Sequence, residues 1–218
     1  MIFKRWRMLT VLLVRHGETD HNKNNIMQGH LDVPLNETGR AQAKHLARYL
    51  AARYPIEHIY SSPLTRAYST AEIIAAKQQC PITAVAELRE LDVGLWQGLT
   101  LEQGRVTHPT IWENLHADTL YTRRPSGESY WDLYQRTTTW LEEKVAQLET
   151  GTICLVTHGG CVRTLLAYAL SAPPELFSFA SALTVDNTGL TVLHYKPTPR
   201  RWQVRTVNAT CHLLPSEA

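Results

Sequence analysis

Two stretches of this chain place a histidine and a glycine directly after an apolar run. They are Val14-Arg15-His16-Gly17 and Val156-Thr157-His158-Gly159-Gly160. A third stretch, Ser61-Ser62-Pro63-Leu64-Thr65-Arg66, follows another apolar run and brings an arginine into the first turn of a helix. Glycine at such a junction lets backbone approach a ligand closely. The helix beginning after Gly160 would aim its free N–H groups at the same place. Two guanidinium groups and two imidazoles at one rim suit a dianion, because planar guanidinium forks match phosphate oxygens bidentately. They suit a divalent cation badly, because two obligate cations repel it in a low-dielectric cleft. The ten histidines also lack the H-E-x-x-H spacing of a zinc hydrolase.

The elements that must position these residues follow from periodicity. Thr10–Val14, Ile56–Tyr60 and Thr152–Val156 are short buried strands, Ile82–Ala86 is extended, and two late strands are expected near 183–194 and 202–207. Helical spacing appears over about 39–54, opened by Asn36, and again after Pro63, with Ser62 as its expected cap. Further helices are expected over Glu128–Leu148 and Val162–Leu170. Strands alternating with helices predict an α/β fold, a three-layer α/β/α sandwich with a mostly parallel central sheet. In such sheets ligands bind beyond the carboxyl ends of the strands, which puts both histidines at one rim. The segment from about 94 to 127 is too long for a plain connection. It is expected to be an insertion over the site, with short helical pieces around 100–117.

Composition narrows the function classes. The chain has 218 residues, 44% hydrophobic and 19% charged, and suits a single domain over 1–218 with a loose leader over 1–8. Lys4, Arg5 and Arg7 before the run Met8–Val14 faintly imitate a signal peptide, but the run ends in Arg15-His16 instead of a cleavage site. The sequence leaves open whether Met1 or Met8 is the true start. A net charge of +2 with no basic stripe argues against nucleic acid, and no apolar stretch is long enough for a bilayer. Cys80, Cys154, Cys161 and Cys211 fit no zinc module and read as reduced thiols of a cytoplasmic protein, with Cys154 as core packing.

Beyond the paired histidines, ordered motifs run from about residue 10 to 212. They are Arg15-His16-Gly17-Glu18-Thr19-x-x-Asn22; Gln28-Gly29-x-x-Asp32-x-Pro34-Leu35; Ser61-Ser62-Pro63-Leu64-x-Arg66-Ala67-x-x-Thr70-Ala71; Glu87-Leu88-Arg89-Glu90 with Gly94-x-Trp96-x-Gly98; Pro125-x-Gly127-Glu128-Ser129; and Thr157-His158-Gly159-Gly160. Together they resemble the histidine phosphatase superfamily, the phosphoglycerate-mutase-like group. One departure is Gln97, at a position often acidic in that group.

The resemblance implies that His16 attacks phosphorus and forms a phosphohistidine, with Arg15, Arg66 and His158 holding the oxygens and Asn22 adding a neutral donor. Arg15 and Arg66 would keep the attacking imidazole neutral, and its other nitrogen needs an acceptor such as a carbonyl near Gly17. Glu90 would protonate the leaving oxygen and then activate water, with Glu87 as its rival. Gln28, Gly29 and Gly159 are expected near substrate, although Gln28 and Gly29 could equally only shape a loop. Trp96 reads as packing. No metal and no cofactor is implied.

The moderate length of the insertion resembles the phosphatase branch, which favours water as acceptor over the second substrate hydroxyl of a mutase. The tail Val207-Asn208-Ala209-Thr210-Cys211-His212-Leu213 resembles the ending of small phosphatases, so His212 is expected to reach substrate or else to pack the tail. Arg123 and Arg124 could read a second anionic group or sit solvated. The expected partner is a small phosphorylated metabolite: phosphoserine, a phosphoglycerate, α-ribazole phosphate or a sugar phosphate. Neither nucleic acid nor membrane is expected, and a homodimer only as the commonest oligomer. A non-catalytic phospho-binding module is the reading from another class. Retention of His16, Arg66, Glu90 and His158 argues against it.

Overall fold

The computed structural model describes residues 8–172 and 182–214, so most of the expected leader lies outside the described residues. Among the described residues six strands form one sheet: β1 (Leu9–Arg15), β2 (His58–Ser61), β3 (Ile82–Ala84), β4 (Gly151–Thr157), β5 (Leu190–Pro197) and β6 (Arg200–Ala209). Their spatial order is β3-β2-β4-β1-β5-β6. The first four are mutually parallel, and β5 runs antiparallel to both of its neighbours. Among the described residues seven α-helices accompany them: α1 (Asp20–Lys23), α2 (Glu37–Ala51), α3 (Thr65–Gln78), α4 (Leu101–Thr107), α5 (Pro109–Ala117), α6 (Tyr130–Ala146) and α7 (Gly159–Ala169).

The apolar run of β1 is continuous because the sheet is covered on both faces. Leu9, Val11 and Leu13 meet Leu141 and Val145 of α6 and Val162 and Leu165 of α7. Leu12 and Val14 point the other way, to Leu46 and Leu50 of α2 and Ala67 and Ile74 of α3. This is the expected three-layer sandwich. Each fully buried leucine contributes roughly 1.5–3 kcal/mol by leaving water. Cys154 packs in the α2/α3 layer.

Two boundaries differ clearly from the sequence reading. Ser62 does not cap α3. The helix starts at Thr65, and the Asp32 carboxylate takes Thr65 N (2.7 Å) and Oγ1 (2.8 Å), so a residue remote in sequence does the capping. The strand expected near 183–194 begins only at Leu190. Asp186-Asn187-Thr188-Gly189 turns, with Thr188 at φ +57°, so that its N–H donates to the carbonyls of Arg15 (3.1 Å) and His16 (3.2 Å). The insertion holds α4 and α5. It braces the loop after α1, where Met27 and the 98–99 backbone exchange hydrogen bonds (Met27 N to Leu99 O, Gly98 N to Met27 O, both 2.9 Å).

Candidate active site

Register decides the site. On parallel neighbours, Arg15 pairs with Thr157, so His16 and His158 both step off the sheet at the same level. The His16 N–H still donates to Thr157 O (2.9 Å), and the two rings meet edge to face at 5.1 Å between centroids. The chain leaves β1 toward the α2/α3 layer and leaves β4 toward the α6/α7 layer. Such a divergence opens a crevice between the strand ends, where ligands of open α/β sheets bind.

A cavity of about 210 Å³ occupies that crevice, lined by Arg15, His16, Asn22, Arg66, Glu90 and Arg163 among others. Gln28, Gly29, Tyr130 and Gly160 also contribute to its wall. It is smaller than the roughly 300–1,000 Å³ typical of drug-sized ligands, so it fits a compact group. A larger hollow of about 530 Å³ lies at the far end of the sheet, but its Tyr168 hydroxyl is already spent on Glu142 (2.7 Å).

His16 is 2% exposed, and its Nδ1 lies 2.7 Å from Gly17 O. A carbonyl can only accept, so Nδ1 carries the proton and Nε2 keeps its lone pair. Burial holds the imidazole well below its ordinary pKa, and Arg66 and then Arg15 lower it further. His158 is fully buried and held neutral by the same causes in the same order, with His16 acting between the two arginines. Its Nε2 lies 2.8 Å from Ser62 Oγ, a contact across 96 residues of chain.

Arg66 has no exposed surface. Its two Nη groups donate to Leu31 O (2.7 Å) and Gly29 O (2.8 Å), which stretches the guanidinium along the cavity wall. Burial brings it down to about 10, still cationic at neutral pH. Gly29 sits at φ +49° with Val93 where a Cβ would be, so a side chain there would disturb both loops. Arg15 Nη1 donates to Val185 O (2.6 Å). The Nε atoms of Arg15 and Arg66 and the Nδ1 of His158 are all buried without a hydrogen-bond partner in the protein. Leaving one such group unmade costs about 1–3 kcal/mol; Arg15 and Arg66 line the cavity, while His158 lies buried behind it against the His16 ring, so the two arginines mark a place built for an acceptor.

Glu90 faces them across the cavity. Both carboxylate oxygens accept from Gly160 N (3.1 and 3.2 Å), and Oε1 also accepts from Leu91 N (2.8 Å). The carboxylate occupies the space a Cβ on residue 160 would need, which explains the second glycine of that motif. Glu87 does not line the cavity; its carbonyl is held by Arg136 on the outer face.

The remaining expected residues divide. Asn22 and Gln28 are at the cavity. Asn22 Oδ1 accepts from Thr19 N (3.2 Å) and Asn187 Nδ2 (3.3 Å), which leaves its own N–H donors uncommitted. Gln28 Oε1 accepts from Thr19 Oγ1 (3.1 Å). Gly159 lies behind the cavity, against Arg163 and Arg15. His212 is not brought to the cavity: it packs on Tyr49, 5.9 Å between centroids, and its Nε2 meets Thr188 Oγ1 at 3.0 Å. It therefore supports the turn behind His16. Arg123 is exposed and paired with Asp132 (2.6 Å), whereas Arg124 is buried with its guanidinium 4.7 Å above the Tyr130 ring. Trp96 is core packing, 2% exposed, donating to His108 Nδ1 (3.0 Å). Gln97 Oε1 accepts from His30 N (2.7 Å), a tie between two loops that needs no charge.

Sequence reasoning missed Ser62, Asn187, Tyr130, Arg163 and Arg136. Asn187 Nδ2 donates to His16 O (3.0 Å), and no local pattern announces that contact.

Residues 11–210 match the model of the histidine phosphatase superfamily, branch 1. The chain belongs to the histidine phosphatase superfamily. It is a phosphoric monoester hydrolase of that superfamily. Among its relatives is phosphoglycerate mutase-like protein 4 of Arabidopsis thaliana, 40% identical over 71% of this chain and 68% of that one. Phosphoserine phosphatase 1 of Hydrogenobacter thermophilus is 32% identical over 94% and 95% of the two chains. Among solved histidine phosphatases, a mycobacterial glucosyl-3-phosphoglycerate phosphatase superposes with a TM-score of 0.80 at 33% identity, covering 92% and 99% of the respective chains. Among the described residues, no helix is long and apolar enough to cross a membrane.

Proposed function

We propose that this phosphatase hydrolyses small phosphate monoesters through a phosphohistidine on His16, without a metal ion. The observation that carries the reading is the set of unspent buried donors on Arg15, Arg66 and His158 beside a neutral His16 whose Nε2 is bare. In the first step Nε2 bonds to phosphorus, the ester P–O bond breaks, and Glu90 gives its proton to the leaving oxygen. In the second step Glu90 takes a proton from water, oxygen bonds to phosphorus, and the N–P bond breaks to release inorganic phosphate. Arg15 and Arg66 stabilise the charge spread over the equatorial oxygens, and Asn22 adds a neutral donor. Leu64 N donates to Ser62 Oγ (3.3 Å), which suits a hydroxyl passing its own proton to His158 Nε2. His158 then presents Nδ1–H as a further donor.

The substrate is a small phosphorylated metabolite, of the class of phosphoserine, the phosphoglycerates, α-ribazole phosphate and sugar phosphates. Arg163 at the wall and Arg124 behind Tyr130 add positive charge beyond the pair that binds phosphate, which favours esters with a second negative charge. The test is phosphate release over a panel of such esters, with and without chelator, together with mass spectrometry of rapidly quenched protein. The expected result is chelator-independent turnover and a phosphate adduct on His16. Loss of activity restored by zinc or manganese, or turnover with no adduct under any quench, would overturn it.

A further inference from the structure

We infer that Arg136, on α6 and outside the cavity, is a positioning residue for Glu90, with Glu128 as its anchor; this rests on the reading of Glu90 as acid and base. All five N–H donors of the guanidinium are used. Nε and one Nη2 proton go to the two carboxylate oxygens of Glu128 (both 2.9 Å). The other three go to backbone carbonyls of one loop, those of Glu87 (2.5 Å), Arg89 (2.8 Å) and Glu90 (2.8 Å). Glu128 in turn accepts from Asp92 N at Oε2 (3.0 Å) and donates its own N–H to Asp92 O (2.8 Å). His30 Nε2 donates to the same Glu90 carbonyl (2.8 Å). The backbone on both sides of Glu90 is therefore fixed from outside, while its carboxylate is fixed from inside by Gly160 N.

The loop would survive without this clamp. Leu88 is fully buried, Leu91 is 5% exposed, and Thr157 Oγ1 donates to Leu88 O (2.7 Å). What the guanidinium adds is the placement of the carbonyl that Glu90 itself carries. A displacement of about 1 Å at a reacting group costs on the order of 10²-fold in rate. Lysine cannot replace the clamp, because three tetrahedral donors on a point charge cannot span a carboxylate and three carbonyls at once.

General acid assistance matters most when the leaving group is poor. The experiment therefore compares kcat and KM on an alkyl phosphate (β-glycerophosphate) and on p-nitrophenyl phosphate. The proteins are wild type, Glu90→Gln, Arg136→Met, Arg136→Lys, Glu128→Gln and the double variant Arg136→Met/Glu90→Gln, each checked by near-UV circular dichroism. For Arg136→Met the expected loss in kcat is about 30- to 100-fold on the alkyl ester and under about fivefold on the aryl ester, with KM nearly unchanged. In the Glu90→Gln background the further loss should be under about twofold, since one route is already closed. Glu128→Gln should give the same pattern at smaller size, and it carries the test should the arginine variants not fold. Equal losses on both esters, or full additivity in the double variant, would overturn the inference while leaving Glu90 in its role. A Glu90→Gln variant with no leaving-group dependence would instead remove the underlying reading, and this single variant tells the two failures apart.

Discussion

The two histidines leave adjacent strands at the same level and are held neutral by the same burial and the same arginines, yet they are oriented in opposite ways. His16 is fixed by its own neighbour, the Gly17 carbonyl, at a separation of one residue. His158 is fixed by Ser62, from the turn after another strand. A carbonyl partner allows only one tautomer and leaves Nε2 bare, which is what a nucleophile needs. A hydroxyl partner can give or take a proton, which suits a group that must donate to a charge that grows and fades. Equal electrostatics with different partners would thus separate, in the proposed mechanism, an attacking histidine from a binding one.

The largest expected effect tests the first half of that contrast. His16→Ala should lose at least about 10⁴-fold in kcat and show no phosphate adduct at that position, because the proposed nucleophile itself is removed. Retained turnover in steady-state assays would end the assignment. His158→Ala should lose about 10²- to 10³-fold, the usual cost of one oxyanion donor, while rapid quenching still finds phosphate on His16. If that variant formed no adduct either, the two histidines would not be separable in role.

Their shared neutrality gives a pH prediction. In the unfolded chain a histidine binds a proton below about pH 6.5, whereas burial keeps both of these neutral well below that. The unfolded state then holds more protons, so stability falls as pH drops below about 6.5, by about 1.4 kcal/mol per pH unit for each such histidine. His16→Ala should therefore shrink the acid slope of urea-melt stability near pH 5 by about that amount. An unchanged slope would mean that His16 ionises in the folded protein. Ser62→Ala is the smallest effect: about a threefold to tenfold loss in kcat, matching one net hydrogen bond. A loss as large as that of His158→Ala would mean that Ser62 touches substrate itself.

Much of the site was legible because its cues are local. A β-branched run ending in Arg15-His16-Gly17 states a strand, its end and a close backbone approach within a few residues. Gly160 reads as required once a group is known to press on it, and that group proved to be Glu90. His212 shows where this kind of reading stops. A motif places it near the end of the chain, but only packing against Tyr49 and Thr188 decides which side of β1 it reaches. The α3 cap fails for the same reason, since Asp32 competes with Ser62 from a loop that sequence order puts far away.

By itself, then, the sequence determined the layered fold and the family, and it singled out His16, Arg15, Arg66, His158 and Glu90 as the candidates for the site. Those depend on periodicity and on junction motifs whose physics is contained within one turn or one strand. The tertiary structure alone decided which donors stay unspent and which residues hold the backbone around Glu90. Those are satisfied or left open by partners 36 to 171 residues away, as with Asp92 on Glu128 and Asn187 on His16. Hydrogen bonds of that separation exist only after the sheet has set its register, and no local pattern records them.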